Sequence, residues 1–277
     1  MKKIELFGVP CSGKTFLRTI LYNKLKKKNL IIHNYSSAFF EYIFHEENIS
    51  FFERLSLNYF KYLKFRKKIS PAKFVKNNLK QNKNNKKTFI IKKIISDFFY
   101  NTYKDLCKRY EKKINDDFKK IVFKKINLNE KEINNKKRNA KLWFTEFFAH
   151  KYIVDKYSHK IDIIIDDESI YQKIFVFSDM SFDNQFVKKY FKSSDGVDLL
   201  IQVCSLKDII FKRSNKRFGS KKFHYINENE LNNIIKYEKK ILPIISKKMK
   251  ILIFKNSSHH LKKINKIYEI ILKKYVN

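Results

Sequence analysis

Short apolar runs and a helical periodicity alternate over the first 35 residues of the chain. The apolar run Ile4–Phe7 ends at a glycine, which is typical of a buried strand that leads into a loop. Apolar residues then recur every three or four positions between Lys14 and Lys28, which predicts an amphipathic helix. A second apolar run, Leu30–His33, follows directly. This strand–helix–strand order predicts the start of a parallel sheet.

The pattern changes character in the middle of the chain. Helical periodicity dominates between residues 38 and 158, with a break at Pro71 and a polar loop predicted over Asn77–Lys87. The last predicted helix of this region, Ala140–Tyr157, carries a stripe of large apolar residues. The members of this stripe are Trp143, Phe144, Phe147, Phe148 and Ile153. We interpret the stripe as core packing and not as a base-stacking platform.

Strands and helices alternate again after residue 160. The apolar runs predict strands over residues 161–165, 199–203 and 250–254. The periodic segments predict helices over Ser205–Arg213, Glu230–Ile245 and Leu261–Leu272. We therefore predict an α/β fold in which a core of residues 1–37 and 159–277 carries a large helical insertion, residues 38–158.

The charge of the chain has two interpretations. Its 277 residues are 43% hydrophobic, which is enough for a packed core, yet the formal net charge is +35. Such a charge is typical of proteins that bind nucleic acid or an anionic membrane. However, only seven of the 62 basic residues are arginine, and lysine is abundant together with Ile, Asn, Phe and Tyr, as in proteins of A+T-rich genomes. The charge is also spread along the sequence, which favours a compositional origin.

The cysteines and the N-terminal residues bear on location. Cys11, Cys107 and Cys204 are widely spaced and form no metal-ligand pattern, which suits a reducing compartment. Glu5 interrupts the first apolar run and Pro10 precedes Cys11, so we do not expect a lipoprotein signal. No stretch contains the roughly 20 apolar residues of a membrane span. We expect a cytoplasmic protein without a membrane span.

The most specific motif is an eight-residue loop between the first strand and the first helix. It matches the pattern G-x-x-x-x-G-K-[ST] with Gly8, Val9, Pro10, Cys11, Ser12, Gly13, Lys14 and Thr15. Backbone N–H groups of such a loop, together with the N-terminus of the following helix, surround phosphate oxygens. In this motif Lys14 would bridge the β- and γ-phosphates and the Thr15 hydroxyl would bind Mg²⁺. Two of the four glycines in the chain lie here, and the sequence predicts a nucleoside triphosphate site.

Three acidic residues, Asp166, Asp167 and Glu168, follow the predicted strand 161–165. The carboxyl ends of parallel strands face the ligand crevice, so an acid here could hold Mg²⁺ and another could accept a proton from an acceptor hydroxyl. We assign the metal to Thr15 together with Asp166 or Asp167, and the spacing does not separate the roles further. An exposed acidic turn is the alternative, but the chain is otherwise poor in acids, which favours a functional role.

Two arginines, Arg213 and Arg217, lie in a basic segment after the predicted strand 199–203. Arginine beside a transferring phosphoryl group neutralises charge that develops on its oxygens. A solvated basic helix end would give the same pattern, because cations are favourable at the C-terminus of a helix. The position of the segment, one strand after the acids, favours the catalytic interpretation.

Taken in chain order, these motifs resemble the P-loop kinases of the nucleoside and nucleotide kinase group. The resemblance covers residues 1–35 and about 160–277, and it rests on Gly8–Thr15, the acidic strand end and the segment 199–217. It implies the three-layer fold of P-loop nucleoside triphosphatases, with a mostly parallel central sheet, and Mg-ATP as cofactor. It also implies catalytic roles for Lys14, for an acid of residues 166–168, and for lid arginines at 213 and 217.

Two functions follow as expectations. The first is an ATP-dependent phosphotransferase that moves the γ-phosphate to an unidentified hydroxyl or phosphate acceptor. The second is a nucleotide-dependent RNA-binding protein or accessory ATPase without a small-molecule acceptor, which rests on the net charge of +35 and the helical insertion. The helical region could bind either the acceptor or a partner.

Overall fold

A computed structural model describes residues 1–45, 54, 101–109, 117–128, 134–218, 228–256 and 260–276. The chain divides into two compact units, residues Met1–Asn34 with Ser158–Asn277, and residues Tyr35–Tyr157. The predicted break at Pro71 and the predicted loop Asn77–Lys87 lie outside the described residues.

The first unit contains a five-stranded sheet. Its strands are β1 (Lys2–Phe7), β2 (Ile32–His33), β3 (Ile163–Asp166), β4 (Leu199–Cys204) and β5 (Ile251–Lys255). The order across the sheet is β2-β3-β1-β4-β5, and all described pairs are parallel. The carboxyl ends of β1, β3 and β4 therefore meet at one edge of the sheet. The α/β class and the parallel sheet predicted from the sequence are confirmed.

Helices surround the sheet and also build the second unit. The α-helices are α1 (Lys14–Lys26), α2 (Tyr35–Tyr42), α3 (Asp117–Leu128), α4 (Asn134–Lys156), α5 (Ile170–Lys173), α6 (Asn184–Ser193), α7 (Lys207–Phe218), α8 (Glu228–Ser246) and α9 (His260–Tyr275). Residues 101–109 are also helical. Short 3-10 helices span Ile43–His45, Ser158–Lys160 and Ile174–Phe177. Of these, α2, α3, α4, residues 101–109 and Ile43–His45 belong to the second unit.

The alternation of side chains along β1 divides the core of the first unit into two layers. Ile4 and Leu6 point to one face, where they join a buried cluster with residues of α1 and α9. Glu5 and Phe7 point to the other face. There Phe7 stacks on Phe175 at a ring-centroid distance of 5.3 Å, and the Gln172 backbone N–H donates to Glu5. Helical segments therefore cover both faces, and the loop after β1 emerges between them.

The second unit has a core rich in aromatic residues. Phe144, Phe147, Phe148 and Ile153 of α4 are buried, which confirms the interpretation of this stripe as packing. Trp143 was assigned to the same stripe, but 43% of its surface is exposed. The assignment of Trp143 to the core is therefore wrong, because Trp143 lies off the side of α4 that carries the buried Ala140, Phe144 and Phe147.

Candidate functional site

The loop between β1 and α1 has a backbone that requires glycine at two positions. Gly8 and Gly13 have φ angles of 145° and 110°. A Cβ atom on Gly8 would lie 2.4 Å from the carbonyl oxygen of Val203, and one on Gly13 would lie 2.1 Å from Nδ2 of Asn256. The backbone of Val203 therefore leaves no room for a side chain at Gly8, and the positive φ angles favour glycine at both positions. Cys11 also adopts a positive φ, 64°, so three of the eight loop residues have left-handed or glycine-like backbone angles.

Lys14 turns back into the loop. Its Nζ atom donates to the carbonyl oxygens of Gly8, at 2.7 Å, and Val9, at 3.1 Å, and its side chain is buried. Burial lowers the pKa of Lys14 to about 8, although the nearby carboxylates of Asp167 and Glu168 act in the opposite direction. The ammonium group is therefore held inside the loop, at the first turn of α1, where a phosphate oxygen could replace a carbonyl as its acceptor.

Thr15 connects the start of α1 to the end of β3. Its hydroxyl donates to Oδ2 of Asp167 at 2.7 Å. The guanidinium group of Arg18, one turn further along α1, forms an ion pair with Oδ1 of the same carboxylate. Asp167 is buried, whereas the Arg18 side chain is partly exposed. The structure therefore brings Thr15 and Asp167 together and adds Arg18 as a partner that the sequence interpretation missed.

The other two acids of the strand end have different environments. Asp166 is buried at the last position of β3, and its Oδ1 accepts from the backbone N–H of Glu168 at 2.7 Å. The Glu168 side chain is exposed. The three adjacent acids thus separate in space. Asp166 shapes the turn, Asp167 contacts α1, and Glu168 faces solvent.

Residues from α7 and from the end of β5 contact the outer side of the loop. Nη1 of Arg213 lies 3.5 Å from the carbonyl oxygen of Cys11 and 3.4 Å from that of Ser12. Asn256, the residue after β5, donates from Nδ2 to the same Ser12 oxygen at 2.9 Å. Arg217 lies in the last turn of α7, and its side chain lies outside the described part of the structure. The structure therefore brings Arg213, but not the Arg217 side chain, to the loop.

The remaining loop residues are anchored by packing and burial. Val9 packs in a small apolar cluster with Ile210 of α7 and Leu231 of α8. Pro10 is half-buried. Ser12 is buried, and within the described residues its hydroxyl makes no hydrogen bond. This buried hydroxyl is a polar group that an oxygen of a bound ligand could satisfy.

A series of hydrogen-bonded polar groups connects the start of the loop to the strands beneath it. The backbone N–H of Gly8 donates to Oε1 of Gln172 at 3.2 Å, and the Gln172 N–H donates to Oε1 of Glu5 at 2.9 Å. Burial raises the pKa of Glu5 well above its ordinary value. On the neighbouring strand, Nε2 of Gln202 donates to Glu238, whose pKa is also raised by burial. These groups fix the base of the loop through β1 and β4.

The sequence interpretation missed Glu5, Arg18 and Asn256 as parts of this site. Arg18 follows Lys14 by one helical turn, so the predicted helix places both on one side of α1. Asn256 comes directly after β5, where parallel strands present polar residues to the crevice. Those two signals were present in the sequence. The signal for Glu5 is a single acid inside an apolar strand.

The oxygen atoms at the start of α1 suit a magnesium ion that is bound together with phosphate. Among the described residues, no group of three or more His, Cys, Asp or Glu side chains could hold a metal ion. Mg²⁺ in a nucleotide site needs only one or two protein oxygens, because water and the phosphates supply the remaining ligands. The Thr15 hydroxyl and the Asp167 carboxylate are 2.7 Å apart and provide such hard donors. The residues present therefore fit a Mg²⁺–triphosphate group.

Comparisons with known proteins assign no family. No protein-family model matches the chain, and a search of curated proteins finds no match. Across the described ranges, no helix is both long enough and apolar enough to cross a membrane. The functional interpretation therefore depends on the geometry of the loop and of the residues around it.

Proposed function

We propose that this protein binds Mg-ATP through the loop Gly8–Thr15 and transfers the γ-phosphate to an acceptor. The observation that carries the proposal is the contact of Thr15 with Asp167, beside the buried Lys14 ammonium group. A cation inside a glycine loop at a helix N-terminus suits phosphate, and a hydroxyl–carboxylate pair next to it suits Mg²⁺. The central position of β1 in a parallel sheet supports the same assignment.

Each described residue has a distinct part in the proposed reaction. The Lys14 ammonium group would bind an oxygen between the β- and γ-phosphates, and Arg213 would move from the loop carbonyls to the phosphate oxygens. Bound Mg²⁺ would withdraw charge from the triphosphate. Arg18 holds one oxygen of Asp167 and leaves the other beside Thr15. Asp166 and Asp167 are both engaged in the protein, so we assign the orientation of the acceptor hydroxyl to the exposed Glu168.

The proposal includes adenine as the base and the cytoplasm as the location. Adenine is proposed from the resemblance to kinases and not from any base contact. The location is proposed because Cys11, Cys107 and Cys204 are all free thiols, which suits a reducing compartment.

The test is a phosphoryl-transfer assay with [γ-³²P]ATP and Mg²⁺. The protein is incubated alone and then with separate pools of nucleosides, nucleotides, sugars and tRNA. We expect label transfer to one pool, and a Lys14→Met variant is expected to lose about 100-fold or more of this activity, because it loses the cation at the phosphates. Lys188→Met, an exposed change on α6, is the control and should retain activity.

The outcomes separate the two candidate functions. Equal transfer by the Lys14→Met variant and the unmodified protein would contradict the proposal. ATP hydrolysis without label transfer, stimulated by RNA, would favour the accessory ATPase that the net charge of +35 suggests.

A further inference from the structure

Helices α1 and α9 lie side by side on one face of the sheet. Their apolar residues enter the same buried cluster, with Leu17, Leu21 and Leu25 from α1 and Ile264, Ile267 and Ile271 from α9. Their polar sides therefore point outward together. This arrangement joins two segments that are more than 230 residues apart in the sequence.

Lysine is the commonest residue at the outward positions of these two helices, and two further lysines follow α1 directly. We define the α1–α9 face as Lys24, Lys26, Lys27, Lys28, Lys262, Lys263, Lys266, Lys273 and Lys274. All are exposed except Lys24, which is half-buried. Glu269 is the single acidic residue in either helix. The fold therefore gathers nine lysines from two distant segments of the sequence on one face.

Contacts between lysines and tyrosine rings show that the charges of the two helices are neighbours. Nζ of Lys24 lies 5.2 Å from the ring centroid of Tyr268. At the end of α9, Nζ of Lys274 lies 5.2 Å from the ring centroid of Tyr275, and Nζ of Lys2 lies 5.9 Å from the same ring. Ammonium groups from α1 and α9 thus lie on one surface, and Lys2 of β1, at its edge, also pairs with Oδ1 of Asp198 at 3.5 Å.

The opposite face of the sheet differs. Helices α6 and α8 together carry six lysines and three glutamates. One of these glutamates, Glu228, forms an ion pair with Lys207 at 2.7 Å. Acidic residues thus offset part of the lysine charge on α6 and α8, whereas α1 and α9 carry a single acid. The overall abundance of lysine does not explain this difference between the two sides of the first unit.

We propose that the α1–α9 face binds the phosphate backbone of nucleic acid. Lysine is a point charge that contacts phosphate without reading bases, and Arg18, the arginine of these two helices, is paired with Asp167. The 16 residues of α9 span about 24 Å, the length of about seven base pairs. The binding is therefore electrostatic and independent of base sequence.

The burial of the apolar sides of both helices disfavours a membrane as the partner. A helix that binds a bilayer surface inserts its apolar side between the lipids. Here those sides are occupied by the core, and the large apolar residues exposed on these helices are Phe16 and Leu261, near their N-terminal ends. The lysine-rich C-terminal ends carry no such side chain among the exposed large hydrophobic residues.

The test compares two variants that each lose four charges. The face variant is Lys26→Gln, Lys27→Gln, Lys273→Gln and Lys274→Gln, and the control is Lys188→Gln, Lys189→Gln, Lys236→Gln and Lys239→Gln, all at exposed positions of α6 and α8. Binding of a fluorescein-labelled 20-base-pair RNA duplex is measured by anisotropy between 50 and 200 mM salt. The slope of log K against log salt should decrease by about 2–4 in the face variant and by less than about 1 in the control.

Each outcome decides the proposal. At 100 mM salt we expect at least a tenfold loss of affinity in the face variant and at most a twofold loss in the control, with unchanged circular dichroism in both. Equal losses in the two variants, or no RNA binding at 50 mM salt, would overturn it. Binding to vesicles of 30% phosphatidylserine without binding to RNA would overturn it in favour of a membrane. The Lys14→Met variant should bind RNA normally, so a failure of the proposed kinase activity leaves this test intact.

Discussion

Lys14 gives the site a pH dependence at the scale of a single residue. Burial lowers its pKa to about 8, and only the protonated amine attracts phosphate. Nucleotide affinity should therefore decrease as pH rises through this value, by about tenfold between pH 7 and pH 9, because bound phosphate stabilises the ammonium form and raises its pKa above this range. The measurement is the Kd of a fluorescent ATP analogue, with Mg²⁺, at half-unit steps of pH.

The Lys14→Met variant is the control for this pH dependence. It binds the analogue more weakly, and its Kd should not respond to pH between 7 and 9, because the titrating group is gone. A decrease of affinity in this variant that parallels that of the unmodified protein would show that another group, and not Lys14, titrates in this range.

Asn256 determines the shape of the loop through one hydrogen bond. Its Nδ2 donates to the Ser12 carbonyl oxygen at 2.9 Å, and it packs against Gly13. Asn256→Ala should weaken ATP binding by about 3–10-fold, because a hydrogen bond of this kind contributes about 0.5–1.5 kcal/mol. Isothermal titration measures the effect, and Asn265→Ala, at an exposed position of α9, serves as control. Equal affinities for Asn256→Ala and the control would exclude the role.

The sequence predicts those site residues that are adjacent in the chain, but not the contacts between residues that are far apart in the chain. The loop motif is readable because its eight residues are consecutive in the sequence. The contacts of Asp167 with Thr15 and of Asn256 with Ser12 join residues 152 and 244 positions apart. Only the order of strands in the sheet brings such pairs together. A sequence pattern can propose that strand ends meet, but it cannot select the partner of each side chain.

At the scale of elements, β4 and β5 were predicted closely, whereas β2 and α6 were not. The strand predicted over residues 199–203 lacks the last residue of β4, and the strand predicted over 250–254 is shifted by one residue relative to β5. The strand predicted over Leu30–His33 is longer than β2, which has two residues. This strand lies at the edge of the sheet, and Ile31 is exposed. No prediction covered α6, which begins where the Asp183 side chain accepts from the Phe186 backbone N–H.

The central strand β1 contains a carboxyl group that should make stability depend on pH. Burial raises the pKa of Glu5 well above its ordinary value of 4.5. Between these two pKa values the folded protein binds a proton that the unfolded chain releases, so the free energy of unfolding should decrease as pH rises. Glu5→Gln should flatten this slope above pH 4.5, as measured by urea unfolding at several pH values.

Glu238 and Glu269 serve as a second contributor to the pH dependence of stability and as a control for it, respectively. The pKa of Glu238 is raised too, so a smaller slope should remain in the Glu5→Gln variant. Glu269→Gln, at an exposed position of α9, should leave the slope unchanged. A slope in Glu5→Gln equal to that of the unmodified protein would show that Glu5 is ionised in the folded state throughout this range.

At the scale of the whole molecule, the fold determines which lysines lie next to one another. Along the sequence, lysines occur everywhere, and their even spread favoured a compositional origin. In three dimensions Lys26 and Lys274 lie on one face of the first unit, because α1 and α9 share one apolar cluster. Whether charge is concentrated depends on which helices are neighbours, and that is set by sheet order and not by local sequence.

Ligand binding should stabilise the whole first unit if the proposed site is correct. A ligand that binds only the folded state stabilises it by about 2.7 kcal/mol at a concentration 100 times Kd, which corresponds to a rise in Tm of roughly 5–10 °C for a unit of this size. The Lys14→Met variant should show almost no rise with Mg-ATP.

The Tm of the Lys14→Met variant without ligand should equal or exceed that of the unmodified protein, because the change removes a buried charge that the folded state disfavours. Scanning calorimetry with and without Mg-ATP measures both effects, and these opposite responses distinguish a lost site from a damaged fold. A Tm that rises equally with Mg-ATP in both proteins would place the nucleotide elsewhere.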